Sequence, residues 1–201
     1  VEPDRKQTRY KYSPAHQDVA VCCNPNAGRI SPYFIQNSWM REGENTLVAT
    51  LLMPNILHTQ INGKDTQIEN ITTYPNQNDF ILKITQSKSS KFIIKIRIPN
   101  WAIKINTTEK NRLQDGYMVI EREFSANDSI QFSFETDVKI KSAATGAHYF
   151  TYGALLYALP IGANEIAGKN YTGNFTDFTY EPTSNLRYQF NSNPKTKYIN
   201  G

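Results

Sequence analysis

The segment KFIIKIRIP, residues 91–99, decides the fold. Its apolar side chains at positions 92, 94, 96 and 98 alternate with charged side chains at 91, 95 and 97. Because successive side chains of a strand point to opposite faces, this period of two predicts a strand with one buried and one solvated face. Pro99 ends the strand, since proline cannot donate a hydrogen bond to a sheet.

The same pattern recurs on both sides of this segment, separated by turn signals. Asn62-Gly63 accepts the positive φ angles of a type I′ hairpin turn, and Asp115-Gly116 is a second turn dipeptide. Residues 130–134 alternate as residues 92–98 do. A run of short alternating strands with turns between them predicts an antiparallel β-sandwich.

A helical pattern precedes these strands. Pro25 suits the first position of a helix, and Ile30 and Phe34 fall at helical spacing. We therefore expect a helix over residues 25–39, which Pro32 should kink or shorten.

The region after the sandwich has a different character. The small residues at 142–146 suggest a joint, and residues 150–159 read as an apolar strand that would be buried on both faces. We therefore expect a mainly β protein with a short N-terminal helical segment (1–40), an antiparallel β-sandwich (41–142) and a partial second β unit (143–201).

Composition and charge exclude several classes of protein. The 201 residues include 22 Lys and Arg against 18 Asp and Glu, a net charge of +4 that no basic block concentrates. No apolar run approaches the roughly 18 residues of a membrane span. We expect neither a nucleic-acid partner nor a membrane partner. The chain starts at Val1 in a polar stretch, which we interpret as a fragment of a longer protein.

The two cysteines, Cys22 and Cys23, are adjacent and lie just before the predicted helix. A disulfide between neighbours would be strained. One reading is a pair of small buried residues. The other is thiolate chemistry, because a helix N-terminus lowers the pKa of a nearby thiol and favours a nucleophile or a metal ligand. Zinc would need about two further ligands. His16 is the nearest candidate, but its spacing matches no zinc motif.

Five sequence elements in a fixed order resemble one known family. They are Cys22-Cys23-Asn24-Pro25-Asn26 followed by Arg29, then Thr73-Tyr74-Pro75, Arg97-Ile98-Pro99-Asn100-Trp101, Asp115-Gly116-Tyr117 with Ile120-Glu121-Arg122, and Tyr152-Gly153-Ala154-Leu155-Leu156-Tyr157-Ala158-Leu159. Together they resemble the domain of unknown function 1680 family, which includes the β-L-arabinofuranosidases of glycoside hydrolase family 127 and relatives in family 146. The double cysteine is the most specific of the five.

This resemblance implies a retaining glycosidase with an (α/α)6 barrel followed by β-sandwich domains. Residues 1–40 would be the last segment of the barrel and Cys22 the catalytic nucleophile. Cys22 and Cys23 would bind Zn²⁺, with a glutamate and a third cysteine from an earlier part of the parent. The general acid/base would also come from that earlier part, so we expect this chain to be inactive alone. The expected partner is a carbohydrate substrate, a plant-type glycan, for a secreted or periplasmic bacterial enzyme.

Two other functions stay open at this point. The chain could be a non-catalytic β-sandwich module that binds carbohydrate or acts as a scaffold, with both cysteines buried. It could instead be a thiol redox or metal-binding protein, which predicts reversible oxidation of the cysteine pair.

Overall fold

The computed structural model describes residues 23–171 and 175–185, and the single residues 188, 195, 197 and 199. Within this part of the chain, residues 33–158 form one compact unit. Residues 159–185 belong to a second unit, to which residues 23–32 at the start of the first helix are also assigned. That helix, α1, runs from Cys23 to Gln36. Among the described helical residues there is no segment with the length and apolarity to cross a membrane.

Two five-stranded sheets form the larger part of the first unit. The first sheet has the order β1-β2-β6-β9-β8, and the second has the order β3-β4-β5-β10-β7. The strands of the first sheet are β1 (Trp39–Glu42), β2 (Thr46–Ala49), β6 (Ser90–Arg97), β8 (Arg112–Gln114) and β9 (Tyr117–Phe124). The strands of the second sheet are β3 (Asn55–Ile61), β4 (Lys64–Ile71), β5 (Asp79–Gln86), β7 (Lys104–Thr107) and β10 (Asn127–Glu135).

The two sheets bury one shared core, so the predicted β-sandwich is confirmed. Ile94 and Ile96 of β6 are fully buried in the same cluster as Leu82 and Ile84 of β5. Strand β5 alternates exposed and buried residues along its whole length, as the period of two requires. One pair departs from the expected antiparallel pattern, because β2 pairs with β6 in parallel.

Both predicted hairpin turns are present. Asn62 and Gly63 join β3 to β4 with φ angles of 51° and 70°. Asp115 and Gly116 join β8 to β9 with φ angles of 51° and 81°. Two successive residues with positive φ are the signature of the type I′ turn, whose twist matches that of the flanking strands.

The helix begins and ends earlier than residues 25–39. It starts at Cys23 and continues through Pro32 to Gln36. Its end is set by Ser38, whose backbone N–H and Oγ both donate to the carbonyl of Ile35, at 3.2 and 2.8 Å. Trp39 and the residue after it then pair with β2, so the apolar residues that extended the helical pattern belong to a strand.

A third sheet completes the first unit and corrects the prediction of a single strand over residues 150–159. Strands β11 (Val138–Ser142), β12 (His148–Tyr152) and β13 (Leu155–Tyr157) form an antiparallel meander. Gly153, with φ +56°, divides the apolar run into the two strands β12 and β13. The residues of these strands are half-buried or exposed, not buried on both faces. Residues 143–146 form the turn of the β11–β12 hairpin.

The second unit contains a separate antiparallel pair, β14 (Ala163–Tyr171) and β15 (Phe175–Pro182). This pair is the β structure expected near the end of the chain. The expected domain limits of 40/41 and 142/143 stay a prediction.

Candidate functional site

Of the two cysteines, the structure places one at the start of α1. Cys23 is the first residue of the helix, whereas Cys22 and the side chain of Cys23 lie outside the described residues. Backbone N–H groups at a helix start carry a partial positive charge that favours a thiolate. The described part of the chain holds no group of three His, Cys, Asp or Glu that could bind a metal ion. The catalytic role of Cys22 and the zinc-binding role of both cysteines stay predictions.

The apolar side chains of α1 are exposed. Ile30, Tyr33, Phe34 and Ile35 each leave more than half of their surface open. Burial of apolar surface stabilises a fold by roughly 25 cal/mol per Å², and a helix usually packs its apolar face against a core. An exposed apolar face is therefore unusual for a helix. Arg29 is exposed on the same helix.

Three of the family-like elements meet at one end of the sandwich. The rings of Tyr74 and Trp101 stack with their centroids 6.5 Å apart, and Trp101 meets Phe134 edge-to-face. Burial raises the pKa of Tyr74, although a hydrogen bond with Trp101 and the charge of Arg97 oppose the shift. Trp101 is partly buried and packs against the core, as a large aromatic side chain commonly does.

The third element joins this end through Gly153. A Cβ atom at Gly153 would lie 3.4 Å from Oδ1 of Asn78 and 3.7 Å from Cγ2 of Thr136. Thr136 in turn donates from Oγ1 to the carbonyl of Trp101. The Tyr-Gly element therefore favours glycine because of its positive φ of +56°, whereas the neighbouring atoms would leave room for a Cβ atom.

A polar groove opens beside these residues. Its cavity of about 450 Å³ is lined by the loop before β5, the end of β10 and Tyr152 of β12. We call it the Asn78 groove, and the side chains used below are Asn76, Asn78, Asp79, Glu135, Asp137 and Tyr152.

Carboxylates and amides dominate the Asn78 groove. Asn78 is only 9% exposed, and its Oδ1 is buried without a hydrogen-bond partner among the described residues. Glu135 accepts hydrogen bonds from Asn106 at 2.8 Å and Lys104 at 3.0 Å, both at Oε1. These two donors, Asn106 first, lower the pKa of Glu135, so this carboxylate is charged at neutral pH.

The sequence alone does not predict the groove, because the residues that line it are far apart along the chain. Residues 76–79, 133–137 and 152 come together through the pairing of β5 with β10 and the return of β12. One local signal was available, the polar run Asn76-Gln77-Asn78-Asp79 directly after the Tyr-Pro element. Such a run reads as an ordinary loop without its three-dimensional neighbours.

Arg122, the arginine of the fourth family-like element, stabilises the fold through ion pairs. Arg122 donates to both oxygens of Glu109, at 3.0 and 3.1 Å, and to both oxygens of Asp128, at 2.7 and 3.0 Å. Its guanidinium also lies 4.2 Å from the centroid of the Phe124 ring. The hydrogen bond from Arg122 is the main cause that lowers the pKa of Asp128 to about 2. Arg122 of β9 thus joins the first sheet to the loop that holds Glu109 and to the start of β10 in the second sheet.

Comparison with known proteins agrees with the sequence elements and the fold. Residues 46–136 match the family model described as the β-L-arabinofuranosidase GH127 middle domain. No curated protein matches the chain.

Solved structures of glycoside hydrolases share the fold. The GH127 β-L-arabinofuranosidase Ara127N-Se from Geobacillus stearothermophilus T6 superposes with a TM-score of 0.61 at 18% identity, over 90% of this chain and 38% of that protein. The GH127 β-arabinofuranosidase BT3674 gives a TM-score of 0.59 at 18% identity, over 80% of this chain and 32% of that protein.

A third structure, described as a glycoside hydrolase, superposes with a TM-score of 0.58 at 17% identity, over 96% of this chain and 38% of that protein. The chain thus spans between 32% and 38% of the length of these proteins. The resemblance stated from the sequence elements is therefore confirmed, and residues 46–136 match the middle domain of glycoside hydrolase family 127.

Proposed function

We propose that this chain is the C-terminal part of a retaining glycoside hydrolase of the β-L-arabinofuranosidase type, whose substrate is a plant-type glycan. The observation that carries the proposal is the match of residues 46–136 to the GH127 middle domain. The cysteine pair at the start of α1 supports it, because that position favours a thiolate. Bacterial origin and a periplasmic or secreted location stay predictions.

In this proposal the thiolate of Cys22 attacks the anomeric carbon of the substrate. A carbon–sulfur bond forms while the glycosidic carbon–oxygen bond breaks, and the leaving oxygen takes a proton from an acid outside this chain. Water then displaces the sulfur and gives a proton back to the acid that was deprotonated in the first step, and two inversions give net retention. The chain's own contribution is the nucleophile and the helix start that holds it in its charged form.

The donor set of this chain fits part of a zinc site. Cys22 and Cys23 are soft ligands of the type that zinc prefers, but a tetrahedral site needs about two more. In this proposal the other two are a glutamate and a third cysteine from an earlier part of the parent. Zinc, when bound, would keep the Cys22 thiol deprotonated.

The proposal is tested with the full-length parent. We expect Cys22→Ala to abolish turnover of 4-nitrophenyl β-L-arabinofuranoside, and Cys22→Ala and Cys23→Ala each to lower the zinc content measured by elemental analysis. Ser31→Ala, at an exposed position of the same helix, is the matched control and should leave both measurements unchanged. Retained turnover in Cys22→Ala would exclude this thiol as the nucleophile.

A second experiment addresses the chain by itself. Because the acid/base and the remaining zinc ligands lie elsewhere in this proposal, we expect no turnover of the same substrate by the 201-residue chain. Turnover by the chain alone, lost on Cys22→Ala, would contradict the assignment of the acid/base to the rest of the parent.

A further inference from the structure

The dipeptide Asn62-Gly63 contains a reactive amide in addition to forming a turn. Asparagine is one of the chemically labile residues of proteins, because the backbone nitrogen of the next residue can attack its side-chain carbonyl carbon. A glycine in that next position leaves the nitrogen unhindered, since glycine has no side chain. Asn62 and Gly63 are both exposed to solvent. The sequence contains one other Asn-Gly pair, Asn200-Gly201, which lies outside the described residues.

The folded turn restrains both residues of the dipeptide. The φ angles are 51° at Asn62 and 70° at Gly63, and the flanking residues Ile61 and Lys64 are paired. The side-chain nitrogen of Asn62, the leaving group of such a reaction, donates to the carbonyl of Lys91 at 3.0 Å. Closure of a five-membered ring needs a backbone angle other than that of a type I′ turn, and it breaks this hydrogen bond. Asn62 is therefore reactive when the β3–β4 hairpin opens.

We propose that Asn62 is a site of spontaneous deamidation, and that opening of the β3–β4 hairpin controls its rate. The backbone nitrogen of Gly63 forms a bond to Cγ of Asn62 while the bond from Cγ to Nδ2 breaks. Nδ2 leaves as ammonia, with the proton of the Gly63 N–H group. Water then opens the succinimide ring at one of its two carbonyl groups. The products are aspartate and isoaspartate, and the backbone of isoaspartate contains one additional carbon atom.

The products weaken the contact between the two sheets. Both replace the Nδ2 donor of Asn62 by a carboxylate oxygen, which cannot donate to the carbonyl of Lys91. Isoaspartate also lengthens the backbone of a two-residue turn, and this turn sets the register of β3 with β4. The modification is therefore a one-way change, because it forms in the open hairpin and disfavours closure.

A second turn of the same type provides a matched comparison. Asp115-Gly116 has φ angles of 51° and 81°, and an added Cβ atom meets nothing within 4 Å at Gly63 or at Gly116. The side chain of Asp115 forms no hydrogen bond or ion pair with the described residues. Asp115→Asn therefore creates an Asn-Gly pair in the same kind of turn, without the hydrogen bond from Asn62 to Lys91.

The test follows deamidation in the 201-residue chain carrying Asp115→Asn, by peptide mass spectrometry at mildly alkaline pH. In concentrated urea we expect positions 62 and 115 to react at similar rates. In the folded chain we expect Asn62 to react at least about tenfold more slowly than in urea, because only the opened fraction reacts. Asn62 should also react more slowly than the substituted position 115.

Three results would overturn the proposal. Absence of reaction at Asn62 in urea would exclude the site. Equal rates at Asn62 in the folded and the unfolded chain would exclude control by the hairpin. Equal rates at positions 62 and 115 in the folded chain would exclude protection by the hydrogen bond to Lys91.

A charge-matched pair of variants tests the effect of the product. Asn62→Asp has the side chain of the aspartate product, and we expect the midpoint of its urea unfolding to fall. Asn100→Asp adds the same charge at an exposed residue whose side chain forms no hydrogen bond with the described residues, and its midpoint should stay unchanged. Equal midpoints in the two variants would contradict the loss of a stabilising contact at Asn62.

Discussion

At the scale of single residues, Arg122 is a polar side chain that joins two carboxylates. The guanidinium group of Arg122 pairs with Glu109 and Asp128 at the same time, and all three side chains are less than one-third exposed. Asp128 also accepts hydrogen bonds from the backbone N–H groups of Ser125 and Ser129. The planar guanidinium satisfies two carboxylates that would otherwise repel each other, a geometry that lysine cannot reproduce.

Replacing Arg122 should therefore be costly. We expect Arg122→Ala to lower the free energy of unfolding by about 2 kcal/mol, because it leaves two partly buried carboxylates without their common partner. Urea unfolding at neutral pH measures the difference. Arg112→Ala is the matched control, since Arg112 pairs with Glu121 in an exposed position, where an ion pair contributes about 0.5 kcal/mol. Equal losses in the two variants would show that Arg122 acts as an ordinary surface charge.

At the scale of elements, the hairpins are set by local chemistry. The β3–β4 hairpin pairs seven residues of each strand around its two-residue turn, and Asn62 also donates from Nδ2 to the carbonyl of Lys91 at 3.0 Å. The turn thus fixes the register of the second sheet and contacts the start of β6 in the first sheet. A slip by one residue would turn the buried face of β4 toward solvent.

Gly63 is the position where this turn is most sensitive. We expect Gly63→Ala to lower the free energy of unfolding by about 1 kcal/mol, because φ is +70° and a side chain is strained there. No atom lies within 4 Å of the added Cβ, so the cost is one of backbone conformation alone.

The control for that variant is Gly28→Ala in α1, where the added Cβ also meets nothing within 4 Å but φ is not positive. There alanine should keep or raise the helix signal in far-UV circular dichroism, since alanine favours a helix by about 1 kcal/mol over glycine. A loss of stability at Gly28 but not at Gly63 would contradict the conformational argument.

At the scale of the whole molecule, the buried core is concentrated between the two five-stranded sheets. Phe80 and Phe132 stack across β5 and β10 with their centroids 4.9 Å apart, and Phe92 and Phe124 are 4.3 Å apart across β6 and β9. The β14–β15 pair is different, because its described side chains are mostly exposed. A two-stranded sheet of that kind is marginally stable by itself.

Hydrogen exchange should show this contrast. We expect backbone amides of β5, β6, β9 and β10 to exchange only through global unfolding, and those of β14 and β15 to exchange at least about a hundredfold faster through local opening. Exchange measured residue by residue by NMR gives the comparison, with the β11–β12 hairpin as an intermediate case. Equal protection of β14 and β5 would contradict the expectation of separate stability.

Several features of this protein could be predicted from the sequence because their causes are local. Alternation along residues 92–98 and 130–134 predicts strands whatever lies around them, since a side-chain period of two is a property of the strand. Asn62-Gly63 and Asp115-Gly116 predict turns because few other residues tolerate positive φ. The helix end could not be predicted, because Trp39 suits either an apolar helix face or a strand, and pairing with β2 decides between them.

The sequence by itself determined the strands, the turns and the resemblance to a glycosidase family, because each depends on residues that are close together in the chain. The tertiary structure alone decided the parallel pairing of β2 with β6, the role of Arg122 between Glu109 and Asp128, and the assembly of the Asn78 groove. The strand pairing and the groove join residues that are distant in sequence, and Arg122 joins residues of three different segments. Their partners are fixed by the packing of two sheets around one core, which no local pattern encodes.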